Sequence, residues 1–194
     1  MKSEYIIYIA YVVFFLLLVG AAIYVPILAF NEDATGGYVA FSYTCHQKIS
    51  RSLCIFNTDN SLWIGDCTLQ NGTFIDSRQD RTTTRVETGS TIGYKIPICA
   101  RDLGIYTAML LAALVYPFVR KIDDTHVYPA IFLIIAIVPL GLDGTVQLLS
   151  ELGILPFIYE STNMTRLLTG LLAGFAATFY AIPILMNMFR SKAS

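Results

Sequence analysis

The chain has 194 residues, 55% of them hydrophobic and only 14% charged, with a formal net charge of −1 and a mean hydropathy of +0.60. An ordinary soluble domain carries about 25% charged residues, so the composition argues against a soluble domain and for a membrane protein. The near-neutral charge, with no homeodomain, zinc-finger or basic-zipper pattern, argues against nucleic acid as a partner.

The first element is the uncharged run Tyr5–Phe30. As a helix it reaches about 39 Å, more than the roughly 30 Å hydrocarbon core of a bilayer. It is too long and bulky for the apolar region of a cleaved signal, which is about 7–15 residues. Three more apolar segments follow. Leu103–Val119 can recruit Ile98–Asp102 ahead of it. Val127–Leu142 continues past Asp143 into Gly144–Leu149. The last segment is Leu167–Phe189. Four membrane spans are expected, with Pro139 bending or breaking the third.

Lys2, Arg120, Lys121, Arg190 and Lys192 flank the spans. With both termini cytoplasmic, all five lie inside, as positive residues prefer; Glu4, Asp123 and Asp124 count little in that rule. The loops Asn31–Arg101 and Ser150–Asn163 then face outward. The expected organisation is a first span (1–30), an exterior module (31–100) and a three-span remainder (101–190). The fold class is an all-α transmembrane bundle with a small exterior β-rich, disulfide-containing module.

The exterior module is too long for an idle connection. Its charges are nearly balanced. Asn71-Gly72, between short alternating arms, signals a hairpin. Thr82–Thr88 and Thr91–Ile98 suit short strands. Lys48–Phe56 suits a short interfacial helix. Arg78–Arg85 reads as a solvated rim or a headgroup contact.

The chain has four cysteines, Cys45, Cys54, Cys67 and Cys99, all in or beside this module. An even count on an oxidising side favours disulfides. Cys54 and Cys67 close the shortest loop that includes the Leu62-Trp63-Ile64 arm, and their pairing is expected. Cys45 and Cys99 flank the module where it meets the membrane; they either close a second disulfide or ligate a metal. Asn71 and Asn163 begin glycosylation acceptor patterns.

Polar groups recur at the exterior end of every span: Cys45, His46 and Gln47; Cys99, Arg101 and Asp102; Asp143 and Gln147; Asn163 and Arg166. Charges in lipid are costly and normally face a bundle interior or a water-filled cavity. One reading makes these groups helix caps, ion-pair locks and snorkelling cations. The other gathers them into one exterior pocket. There His46, Asp102 and Asp143 are candidate acid–base residues. Arg101, Arg166, Gln147 and Asn163 are candidate ligand-binding residues. Cys45, His46, Cys99, Asp102 and Asp143 are candidate metal ligands, and zinc accepts such a mixed set. His126 sits in a cytoplasmic turn and suits a solvated or capping role. No HExxH, phosphate-loop or serine-elbow pattern is present. The glycines of Thr169–Gly174 suit close helix packing.

Four pieces carry a family resemblance: "CHQ" at Cys45–Gln47 with Arg51-Ser52, "ICARDLGIY" at Ile98–Tyr106, "PLGLDGTVQL" at Pro139–Leu148, and "TNMTRLLTGLLAG" at Thr162–Gly174. The chain resembles a family of small, uncharacterised prokaryotic membrane proteins, domain of unknown function 2085. The resemblance implies a multi-span membrane domain with key polar residues on one side, and no established reaction. It also implies that family members often carry another cysteine where this chain has Asp102. A carboxylate there suits a zinc oxygen ligand and does not suit a strictly dithiol mechanism. Thr58–Lys95 is larger than the family core needs, so Cys54 and Cys67 belong to a lineage-specific cap.

Three function classes follow. The first is a metal-dependent enzyme acting at the outer leaflet on a lipid or small anionic substrate. The second is a small transporter with Asp143 at a bent helix, which would call for a homo-oligomer. The third is a structural or accessory protein whose exterior cap binds a partner. In each, membrane lipids are partners and the protein is a multi-pass component of the cell membrane.

Overall fold

The computed structural model describes residues 3–45, 47–58, 61–67, 84–88 and 91–190. In chain order its elements are α1 (Ser3–Leu28), α2 (Thr35–Ser42), a single 3₁₀ turn (Ile49–Arg51), β1 (Leu53–Thr58), β2 (Ser61–Asp66), β3 (Arg85–Thr88), β4 (Thr91–Lys95), α3 (Ala100–Val119), α4 (Ala130–Glu151) and α5 (Asn163–Arg190).

Helices α1, α3, α4 and α5 are each long and apolar enough to cross a membrane. Their surfaces show what solvent they need. Phe14, Leu17, Phe118, Ile134, Ile135 and Leu142 are all exposed, an arrangement costly in water and natural in lipid. The spans thus match the four apolar segments, with α3 taking Ala100–Asp102 from the stretch ahead of it. Of the bend or break expected at Pro139, the break does not occur: α4 runs through Pro139 without interruption. Such a proline is tolerated in a membrane helix because neighbouring groups satisfy the freed carbonyl.

The chain divides into two compact units, one made of Met1–Leu18 with Leu103–Ser194 and the other of Val19–Asp102. In the first, α3 and α5 meet backbone to backbone. A Cβ added at Gly104 would meet the Leu167 carbonyl, and one added at Gly174 would meet the Ile105 backbone. Small residues permit this approach where lipid gives helices no hydrophobic reason to associate. Below the glycines, Ala113, Tyr116, Ile182 and Met186 form a buried cluster flanked by Ile7, Tyr8, Tyr11 and Val12 of α1. Polar pins fix it: Tyr8 donates to the Ala113 carbonyl at 2.8 Å, and the Tyr11 and Thr178 hydroxyls lie 3.1 Å apart. Helix α4 packs on α5. In the α3–α4 turn, Arg120 pairs with Asp124 at 2.5 Å and covers the Tyr128 ring. The His126 backbone N–H also donates to Asp124. That bond and Arg120 hold the Asp124 carboxyl below its ordinary range.

The second unit carries an antiparallel sheet in the order β2-β1-β4-β3. Lys48–Phe56 is not the interfacial helix expected: one 3₁₀ turn leads directly into β1. The reason is burial on both faces, since Cys54, Ile55 and Phe56 are consecutively buried. A central strand covered on both sides needs such a continuous apolar run. Phe56 stands opposite Trp63 and Gly93. It stacks on Trp63 with ring centroids 4.4 Å apart, and its ring fills the space a side chain at Gly93 would need. Cys54 and Cys67 form a disulfide, Cα–Cα 5.1 Å, within a core of Ile49, Phe56 and Val86. The Asn71-Gly72 hairpin, its glycosylation pattern and Arg78–Thr83 lie outside the described residues.

Candidate functional site: a two-thiol, one-carboxylate group

Cys99 immediately precedes α3 and occupies its N-cap position. Its Sγ accepts the Asp102 backbone N–H at 3.4 Å, satisfying one of the donors a helix start leaves open. The same turn sets Asp102 three residues along the chain, beside Cys99. Cys45 arrives from the other direction, at the end of the stretch after α2. The thiols of Cys45 and Cys99 and a carboxylate oxygen of Asp102 all lie within 4.8 Å of one another, and all three residues are half-buried.

The two thiols are unequal. The Cys99 thiol donates to Cys45 Sγ, and the backbone N–H groups of Gln47 and Cys99 also serve Cys45. Together they pull its pKa down to about 7, against burial and the Asp102 carboxylate. Cys99, the donor of that bond, is pushed up. Burial and Asp102 push in the same direction. Donors that converge on one sulfur favour its thiolate form, and here they converge on Cys45.

The turn bearing Cys45 is held from below. Gln47 is the one described non-glycine residue with positive φ, at 52°. Its side-chain amide donates to the Tyr38 carbonyl at 2.6 Å, and its own carbonyl accepts Lys95 Nζ at 2.6 Å. The Tyr38 hydroxyl donates to the Lys95 carbonyl at 2.7 Å, and burial pushes its pKa up. Cys45 also lines a cavity of about 960 Å³ that Tyr38, Tyr43, Tyr94 and Gln47 help to enclose. The charged side chains described on its wall are Glu32 and Asp33. Thr35 donates to Asp33 through both its backbone N–H and its hydroxyl, which holds that carboxyl below its ordinary range.

The remaining candidates are placed as follows. His46 lies outside the described residues. Arg101 is half-buried in the first turn of α3. Asp143, Gln147, Asn163 and Arg166 are all buried in the unit formed by the spans, and they join a network there. Arg166 donates to Asn163 at 3.1 Å and to Glu160 at 2.5 Å. Gln147 donates to Glu160 at 3.3 Å and to Glu151 at 3.1 Å. The Tyr159 hydroxyl donates to Asp143 at 2.9 Å, and that bond raises its pKa. The sequence reading missed Tyr159, Glu160, Gln47's backbone role and Lys95. No local sequence signal marks any of them.

The family model described as "Predicted membrane protein (DUF2085)" matches residues 87–180, a span that includes Cys99, Asp102, Asp143 and Arg166. The uncharacterized protein MJ1492 of Methanocaldococcus jannaschii is 32% identical over 155 residues, covering 80% of this chain and 72% of that protein. The chain belongs to this family. No solved structure matches it. The membrane assignment from hydropathy and the family description agree.

Proposed function

We propose that this DUF2085 protein is a metal-dependent membrane enzyme whose metal, of the zinc type, is held by Cys45, Cys99 and Asp102 where α3 begins. The observation that carries the reading is the mutual approach of three donor atoms within 4.8 Å. Two soft thiolates and one carboxylate suit zinc better than calcium or magnesium, which take oxygen ligands. Three protein ligands leave a fourth position for water or substrate, the pattern of catalytic rather than structural zinc sites. When bound, such a metal would activate water near neutral pH or polarise a carbonyl or phosphoryl oxygen. The chain's part is to keep Cys45 deprotonated through the N–H groups of Gln47 and Cys99.

The cavity supports a particular substrate charge. Its described charged groups are carboxylates, which favour a neutral or cationic small molecule or headgroup over an anionic one. Arg101, half-buried beside Asp102 in sequence, is the residue by which an anionic substrate would be held. The five flanking cations support the orientation with both termini cytoplasmic, which puts the metal group on the exterior side.

A second reading covers the other candidates. Asp143, Gln147, Asn163 and Arg166 hydrogen-bond to Tyr159, Glu151, Glu160 and each other. Paired groups of this kind support a charge lock that ties the stretch before α5 back onto α4, rather than a transport or catalytic site.

The test is elemental analysis of full-length protein purified without chelator. Wild type and Asp143→Asn are expected to hold about one metal ion per chain. Cys45→Ser, Cys99→Ser and Asp102→Asn are expected to lose it. Wild-type protein that neither carries metal nor takes up zinc or cobalt would sink the proposal.

A further inference from the structure

We infer that Lys95 is a positioning residue for Cys45, and that the exterior sheet exists partly to hold it there. The inference rests on the metal reading of the Cys45, Cys99 and Asp102 group and extends it to a residue outside that group.

A lysine with no solvent-exposed surface is rare unless its ammonium is fully engaged, and Lys95 is 0% exposed. Its Nζ donates to the Gln47 carbonyl at 2.6 Å. Its own carbonyl accepts the Tyr38 hydroxyl at 2.7 Å, and the Tyr38 carbonyl accepts the Gln47 side-chain amide at 2.6 Å. Three residues thus close a ring of hydrogen bonds around Gln47. That ring explains why Gln47 keeps a φ of 52°, a left-handed conformation that non-glycine residues hold only when their surroundings demand it. The conformation has a local consequence: the Gln47 N–H reaches back to Cys45 Sγ.

The other end of the chain of contacts is rigid. Lys95 closes β4 and pairs with Cys54 of β1. Cys54 is bonded to Cys67. The Lys95 N–H is itself fixed by the Thr84 carbonyl at 2.8 Å. A disulfide-braced sheet therefore sets where Nζ sits, Nζ sets the Gln47 turn, and the turn sets Cys45. Groups that orient metal ligands without touching the metal are worth about 10–100-fold in affinity.

The test uses full-length protein in detergent, with cobalt(II) as the probe and its thiolate-to-cobalt charge-transfer absorption as the readout. Lys95→Met keeps the length and apolar stem of the side chain and removes the ammonium. It is expected to weaken cobalt binding about 10–100-fold and to reduce the charge-transfer band per bound cobalt. The fluorescence of Trp63, stacked in the sheet on Phe56, should stay at its wild-type position. Tyr38→Phe opens the same ring at a gentler point, and should weaken binding by a smaller factor in the same direction. It also carries the test if Lys95→Met does not fold. Affinity within twofold of wild type in both variants overturns the inference. So does a parallel loss of the Trp63 signal, which would make Lys95 a support of the sheet alone. Wild-type protein that binds no cobalt overturns the metal reading and this inference with it, whereas wild-type binding matched by both variants overturns the inference alone.

Discussion

Cys45 and Cys99 are chemically different because the Cys99 thiol and the N–H groups of Gln47 and Cys99 converge on the Cys45 sulfur. In metal-free protein the alkylation rate of Cys45 should therefore rise through about pH 7, where an unperturbed thiol would wait until near 9.0. Asp102 opposes the thiolate, so its sign is fixed: Asp102→Asn should move the profile to lower pH. Mass-spectrometric rates of iodoacetamide labelling across pH 5–10 check both statements. A Cys45 profile centred at the ordinary thiol value, or an upward shift in Asp102→Asn, would contradict the donor geometry. At this scale the sequence was partly legible. The Cys54–Cys67 bond followed from spacing around the aromatic arm and from the expectation of an oxidising side for the module. Cys45, Cys99 and Asp102 were visible as metal-type residues, but so were His46 and Asp143, because residue type alone does not say which side chains share a turn. Lys95 looked like one of several loop cations. Nothing local marks a lysine as buried when its partner is a backbone carbonyl 48 residues away. Glu160 and Tyr159 were missed for the same reason: their partners lie on α4 and α5, and an acidic residue in an exterior loop ordinarily faces water.

Elements were read more surely than residues, since hydropathy over some twenty positions averages out local ambiguity. The four apolar segments became four helices with shifts only at their ends, where caps rather than hydropathy decide. Two element readings changed. Pro139 does not interrupt α4, and Lys48–Phe56 gave a central strand. In the second case periodicity misled, because a strand buried on both faces shows a continuous apolar run that also fits a short helix. The glycines of Thr169–Gly174 were read as packing residues, and Gly174 is one: the Ile105 backbone occupies the space of its absent side chain. Gly174→Val should push α3 and α5 apart and cost about 1–3 kcal/mol. Gly141→Ala is the control, since nothing lies within 4 Å of a Cβ there, and it should cost nothing. Unfolding in sodium dodecyl sulfate followed by circular dichroism measures both. Equal stability of the two variants would mean that the α3–α5 approach carries no energetic weight.

For the whole molecule, sidedness ties the membrane helices to the proposed chemistry. Disulfides such as Cys54–Cys67 are commonest where the surroundings are oxidising, and Arg120, Lys121 and Arg190 lie at the opposite ends of their spans from Cys99 and Asn163. Charge bias and redox chemistry are two separate grounds for the orientation proposed above. The cations favour the cytoplasmic side, and a disulfide is commonest on an oxidising side. Four spans carry both termini to one side, so a single determination fixes all loops. The expected outcome is labelling from outside at a cysteine introduced at Ser61, in the sheet, and protection at one introduced at Lys121, in the α3–α4 turn. Membrane-impermeant maleimide on intact cells, against the same cells permeabilised, makes the measurement. Exterior labelling at Lys121→Cys with protection at Ser61→Cys would invert the topology. It would also place the Cys45, Cys99 and Asp102 group in a reducing compartment, where two thiols need no metal to escape oxidation. The orientation and the metal proposal are therefore linked: an exterior site with two unbonded thiols, one of them ionised near neutral pH, is chemically durable chiefly when a metal ion holds both.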